Sequence, residues 1–297
     1  MRRTEGAVGM RKQYASMVFV NVMWGLSFIA SKHALNAGFT PMTLALARYV
    51  FATLFLVPIL LGTEKKMTLH KEDIVPMVLS GLMGITFYYF FEYNGISRTS
   101  TVNASLILAA IPIITMAAET VISRTRLRPL QVAGAVVSLG GVALIVLSGS
   151  DEGQASLAGD LLILGAGVVW VAYIFISRRL RGKYSSLSMN AWQALTAVVM
   201  LIPMALCDPC DLTRIPWDGW AAVLILAGVC SALCYYLYGN ALHVMSPLAS
   251  AIFINLIPLT TIVGGVALLG ETLTWLTVLG GALIIGSIFM VNLQEKA

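Results

Sequence analysis

The chain has 297 residues, of which 58% are hydrophobic and 11% charged, and a net charge of +5. Soluble domains carry about 25% charged residues, and no water-soluble fold of this length hides so much apolar surface, so a bilayer is the natural solvent. The basic residues sit at the ends of apolar runs, not along one face, which argues against a nucleic-acid partner.

In chain order, apolar runs of about twenty residues, the length that crosses a bilayer, fall near 14–35, 42–62, 74–95, 101–122, 130–148, 158–179, 187–207, 217–242, 247–269 and 274–293. They predict an all-α polytopic membrane protein with ten transmembrane helices and short connections. Arg2, Arg3, Arg11 and Lys12 precede the first run, which is long enough to be kept as a span. With the N-terminus inside, inside segments hold fifteen of the 19 basic residues and outside segments only Arg98 and Arg214. The excess of lysine and arginine on one side therefore places both termini in the cytoplasm of a multi-pass cell (inner) membrane protein. Cys207 and Cys210 flank Asp208-Pro209 in an outside loop. A disulfide, half of a metal site and neither are all open there, but without a second CxxC a zinc site is not expected. Cys230 and Cys234 read as small core residues.

The two halves repeat. Tyr88–Pro112 and Cys234–Pro258 align without a gap at an offset of 146, pairing Tyr89 with Tyr235, Asn94 with Asn240, Ser100 with Ser246 and Pro112 with Pro258. The same offset pairs Trp24 with Trp170, Lys32 with Arg178, Gly134 with Gly280 and Gly140 with Gly286. Five spans per half is an odd number, so the halves, 1–150 and 151–297, enter the membrane from opposite sides as two inverted five-helix repeats. Glycine-rich spans five and ten read as close-packed buttresses.

Polar groups in hydrocarbon are costly and face a partner or a cavity. Arg48 and Glu92 fall at similar depth and are expected to form an ion pair, structural or gating. Lys32 and Arg98 are expected to snorkel to the headgroups, Glu119 to join Arg124 and Arg126, and Glu271 to cap the tenth span. The mid-membrane set is aromatic and neutral: Trp24, Ser27, Tyr88, Tyr89, Asn103, Trp170, Tyr173, Tyr235, Tyr238 and Asn255. Two readings stand for it, helix packing and a substrate cavity in which aromatic rings stack an apolar group and hydroxyls or amides orient a polar one. Pro112 and Pro258 are hinge candidates for alternating access or static kinks.

Span order and motifs together carry a resemblance. Val22-Met23-Trp24-Gly25 in span one, Asn255-Leu256-Ile257-Pro258 in span nine, and Gly270-Glu271-Thr272-Leu273 leading to Gly280-Gly281 in span ten are similar to the EamA family of the drug/metabolite transporter superfamily. Within it the aromatic-rich spans resemble YddG-type amino-acid exporters. One departure is that Glu271 has Thr125 as its counterpart in the first half. The resemblance implies ten helices in two halves, with helices one to four and six to nine around a central cavity. It also implies a secondary transporter of small molecules, here amino acids, aromatic or otherwise neutral, and related metabolites. A channel, a membrane scaffold, and a transporter of nucleosides or cationic drugs are the alternatives. No G-x-x-x-x-G-K-[ST], HExxH or G-x-S-x-G occurs, so neither a nucleotide motor nor an enzyme is expected, and no cofactor or metal. The lipid bilayer and a small-molecule substrate are the expected partners. Proton coupling stays open, with Glu92 as candidate carrier, as does the oligomeric state.

Overall fold

A helix set nearly continuous from end to end is what these apolar runs produce where no water competes for backbone hydrogen bonds. The computed structural model describes residues 2–65, 67–123, 129–148, 156–180, 182–242 and 256–294. Among them are ten helical rods: α1 (Arg2–Asn36), α2 (Pro41–Glu64), α3 (Lys71–Ile96), α4 (Thr101–Ile122), α5 (Pro129–Ser148), α6 (Leu157–Arg178), α7 (Ser186–Cys207), α8 (Trp217–Tyr238), α9 (Leu256–Leu269) and α10 (Trp275–Gln294). The first eight are long and apolar enough to cross a membrane. The described apolar parts of the last two, Leu256–Leu269 and Trp275–Ser287, are shorter, so the expectation of ten full spans is met in eight. Residues 243–255, where the ninth span was expected to begin, lie outside the described residues.

Local sequence explains the helix ends. Ser100, Ser156 and Ser185 are extended, and their hydroxyls accept from the N–H groups of Asn103, Gly159 and Ser188. Each supplies one of the partners that a helix start lacks. Pro41 opens α2, where a missing N–H costs nothing, and Lys65 ends it at φ 56°. A turn at Ala109–Ala110 breaks α4, and Pro112 is the second residue of the following helical stretch.

Burial is inverted relative to a soluble protein. Leu54 and Val121 are 62% and 77% exposed, whereas Asn21, Ser80, Ser105 and Gln193 are buried. Apolar faces outward and hydroxyls inward suit a hydrocarbon solvent.

Helix α5 packs on α10 and α2 on α7; α1 packs on α8 and α9, and α6 on α3 and α4. Advancing every label by five maps this pattern onto itself. At one end, the far end, α1 finishes and α6 begins, because Lys32 and Ser156 both bond the turn after α3. At the opposite, basic end, Lys183 Nζ donates to Asp73 Oδ1 (2.9 Å) and Tyr184 to Asp73 Oδ2 (3.0 Å), clipping the α6–α7 loop to the start of α3. That carboxylate holds the Lys183 amine above its usual range. Gly141 and Gly280 meet so closely that a Cβ on either would lie 2.6 Å from the other's carbonyl oxygen, whereas Gly140 and Gly286 face open space.

Candidate functional site

Two irregular turns shape the bundle centre. Leu82–Phe87 in α3 and Ile225–Leu233 in α8 are wound as π-helix. The offset of 146 places the first within the second, so both repeats carry the same irregularity. Nothing in residue type announces it; π-turns widen a helix by one residue and recur at functional sites.

Next to these turns lies a narrow, partly open cleft of about 20 Å³, room for little more than a water molecule in this state. Trp170, Tyr173 and Tyr235 form its aromatic wall, and Tyr49, Asn190, Gln193 and Ser231 its polar one. Of these seven, only the aromatic three are in the set expected from sequence. Asn190 and Gln193 carried a usable signal, two amides three residues apart in an apolar span and so on one helix face. Tyr49 and Ser231 resembled ordinary packing residues. Gln193 Nε2 donates to Ser80 Oγ at 3.0 Å, which fixes its amide. Gly84 also lines the cavity, and a Cβ there would lie 2.4 Å from Tyr173 Cδ2. Gly84→Ala is expected to drive the Tyr173 ring from its seat and to cost about 1–3 kcal/mol by overpacking. An unfolding midpoint and ligand binding both like wild type would refute this.

The expected aromatic residues form a connected chain. Tyr173 stacks on Trp170 (ring centroids 4.9 Å), Trp170 on Tyr88 (5.0 Å), Tyr88 on Tyr89 (5.1 Å), and Tyr89 on both Tyr93 (5.0 Å) and Tyr49 (5.3 Å). A second group joins Trp24 to Tyr235 (5.3 Å) and Tyr238 (5.1 Å). Trp24 Nε1 donates to the Cys230 carbonyl within the π-turn (3.2 Å), so this ring also repairs irregular backbone. Ser27 Oγ is spent on its own helix, donating to the Trp24 carbonyl (2.7 Å). Asn103 sits in the first turn of α4 at the far end and does not line the cavity. Pro258 is buried in α9, and Asn255 lies outside the described residues.

The charged residues find other partners than those expected. Arg48 and Glu92 are 3% and 7% exposed, yet no ion pair joins them. Arg48 Nε donates to Ser231 Oγ and Nη1 to Tyr93 Oη, each at 2.8 Å, and its guanidinium lies 4.6 Å from the Tyr89 ring centre. Glu92 Oε1 instead accepts from Tyr88 Oη (2.9 Å). Lys32 does not snorkel: Nζ donates to the carbonyls of Ile96 (2.6 Å) and Thr99 (2.9 Å), which α3 leaves unpaired at its end. Glu119 pairs with Arg178 of the other half through both carboxylate oxygens; Arg124 and Arg126 lie outside the described residues. Cys207 and Cys210 are unbonded.

Glu271 is the largest correction. It caps α4, not the tenth span: Oε1 accepts from Thr101 N (2.7 Å) and Thr101 Oγ1 (2.9 Å), and Oε2 from Val102 N (3.0 Å). With Thr99 Oγ1 donating to Asp160 Oδ1 (2.5 Å) and Ser156 Oγ to the Arg98 carbonyl (2.9 Å), three separate elements grip the turn between α3 and α4. These contacts tie the far end together, and the cleft lies near the middle of the bundle, between Tyr49 in the first half of α2 and Asn190 near the start of α7.

Comparison with known proteins completes the picture. The model of the EamA-like transporter family matches residues 12–147 and again 157–293. An uncharacterized transporter of Bacillus subtilis, YyaM, is 28% identical over 92% of this chain and 90% of its own length. A probable terminal-alkyne amino-acid exporter of Streptantibioticus cattleyicolor is 25% identical over 93% of this chain and 92% of its own. A solved crystal structure with 18% identity superposes with a TM-score of 0.66, covering 95% of this chain and 99% of that one, a likeness of fold.

Proposed function

The chain belongs to the EamA-like transporter family, and from that premise we propose that it is a secondary transporter that exports amino acids, aromatic or otherwise neutral, and related small metabolites by alternating access. The observation that carries the reading is the composition of the cleft, lined by the rings of Trp170, Tyr173 and Tyr235 together with Tyr49, Asn190, Gln193 and Ser231. Rings accept an apolar side chain, and fixed amides and hydroxyls orient a polar head. The printed name of one relative, a probable terminal-alkyne amino-acid exporter, supports the substrate class. The halves 1–150 and 151–297 act as inverted repeats that rock about Pro112 and Pro258. The basic end faces the cytoplasm of the cell (inner) membrane. In that orientation the contacts that tie the far end together support an inward-facing state, the one in which an exporter loads.

Proteoliposomes test this. The purified chain should move labelled neutral amino acids, with unlabelled substrate competing and no accompanying ion conductance. Ion current without amino-acid flux would favour a channel and sink the proposal. Glu92, buried and bonded only to a phenol, is the proposed proton carrier. Glu92→Gln is expected to keep counterflow exchange and to lose the stimulation by a pH gradient. Full stimulation in the variant would remove Glu92 from that role.

A further inference from the structure

We propose that Arg48 reads the carboxylate of the transported molecule, so that the cavity selects amphipathic carboxylates over the corresponding amides and amines. The inference deepens the amino-acid reading above and rests on it.

Its first ground is spare donor capacity on a buried cation. A guanidinium in a membrane interior needs an anion or serves a function. Arg48 is 3% exposed, and its bonded partners among the described residues are two neutral hydroxyl groups, Ser231 Oγ and Tyr93 Oη. The Tyr89 ring at 4.6 Å and the Tyr49 ring at 5.9 Å orient the cation without neutralising it. Glu92 lies near enough to act on Arg48 through space, but it makes no ion pair with it and accepts from Tyr88 instead, so the guanidinium N–H groups are not taken up by a carboxylate. A guanidinium has five N–H donors in a planar fork. Nε and Nη1 each make one bond here, so capacity remains for a two-oxygen acceptor.

The second ground is placement. Ser231 and Tyr49 both line the cavity, and Arg48 is bonded to the first and stacked near the second. The lining residues themselves are neutral, and Arg48 stands one hydroxyl behind them through Ser231. Glu92 bonds Tyr88, which is not part of that wall. The planar fork of the guanidinium favours a carboxylate taken through both oxygens. Trp170, Tyr173 and Tyr235 supply the surface for the apolar remainder. A neutral nucleoside or a cationic drug would leave the guanidinium desolvated and unmatched.

The test is equilibrium binding to the detergent-purified full chain, read by quenching of its tryptophan fluorescence. Leucine, methionine and phenylalanine are titrated beside their carboxamides. Wild type should bind at least one of the acids about tenfold or more tighter than its amide, as expected for hydrogen bonds to a charged group. Arg48→Gln should bring acid and amide within about threefold of each other while leaving amide affinity in place, and Arg48→Lys, a point charge without the fork, should fall between. A preference that survives Arg48→Gln overturns the inference, as does a wild type that binds amides as well as acids. If Arg48→Gln is not monodisperse, Ser231→Ala decides, because it removes only the hydroxyl that aims Nε. The preference should then drop about threefold, and an unchanged preference overturns the inference. A wild type that binds none of the acids overturns the amino-acid reading and this inference together, an outcome told apart by the wild-type titrations alone.

Discussion

Glu271→Ala is expected to lower the thermal unfolding midpoint on the order of 10 °C and to unseal the far end of the bundle. One carboxylate serves three donors at the start of α4, the N–H groups of Thr101 and Val102 and the Thr101 hydroxyl. It is 8% exposed, and both residues it caps are buried. Each donor left unpaired in such surroundings costs about 1–3 kcal/mol, for a total of roughly 3–5 kcal/mol once some water enters. The carboxylate also sits where the dipole of α4 favours negative charge. Replacement is tightly constrained, since a Cβ on Gly265 would lie 2.9 Å from Glu271 Oε2. Glu271→Gln retains one acceptor oxygen and should lose about half as much. Differential scanning fluorimetry in detergent measures the shift. A cysteine placed at Asn103, in the first turn of α4, should become reactive to an impermeant maleimide in Glu271→Ala. An unshifted midpoint with an unreactive cysteine would show that the cap does not hold this end closed.

Trp170→Ala is expected to reduce transport at least tenfold while the protein remains monodisperse. The indole lies against Tyr88 on one side and Tyr173 on the other and lines the cavity. Its removal takes away an aromatic surface worth about 0.5–1.5 kcal/mol per ring pair beyond area burial and lets both neighbours tilt. Trp170 is only partly buried, so the cost to folding should be smaller than for a core tryptophan. Trp170→Phe should restore most of the flux. Trp24→Ala is the informative contrast, because Trp24 Nε1 also satisfies the Cys230 carbonyl in a π-turn and does not line the cavity. Its loss should lower stability more than Trp170→Ala does. Wild-type flux in Trp170→Ala would return the aromatic set to a packing role.

Much of the architecture is a consequence of local pattern. Hydrophobic length, the lysines and arginines at the run ends, serine caps and the offset of 146 each depend on residues close together or on simple repetition, and they led to spans, halves and the aromatic set. The shortfall at α9 falls where residues 243–255 lie outside the described residues. Partner choice was not legible. Glu271 lies in the turn before the tenth span, yet its hydrogen-bond partners are 169 and 170 positions away at Thr101 and Val102. Lys32 bonds the end of α3, and Arg48 takes two hydroxyls and Glu92 one in place of one another. Similar depth in two spans states how far along the membrane normal two groups lie, not how the helices are rotated about their axes.

The sequence by itself therefore determined the solvent, the helices, the duplication and the kind of side chain that meets at the centre, because hydropathy and charge act on each segment separately. Only the tertiary structure decided which contacts tie the far end together, which amides and hydroxyls line the cleft, and that Arg48 bonds Ser231 and Tyr93 in place of a carboxylate. Those outcomes depend on helix rotation and on two π-turns that shift the register of α3 and α8, and rotation is set by packing between segments far apart in the chain.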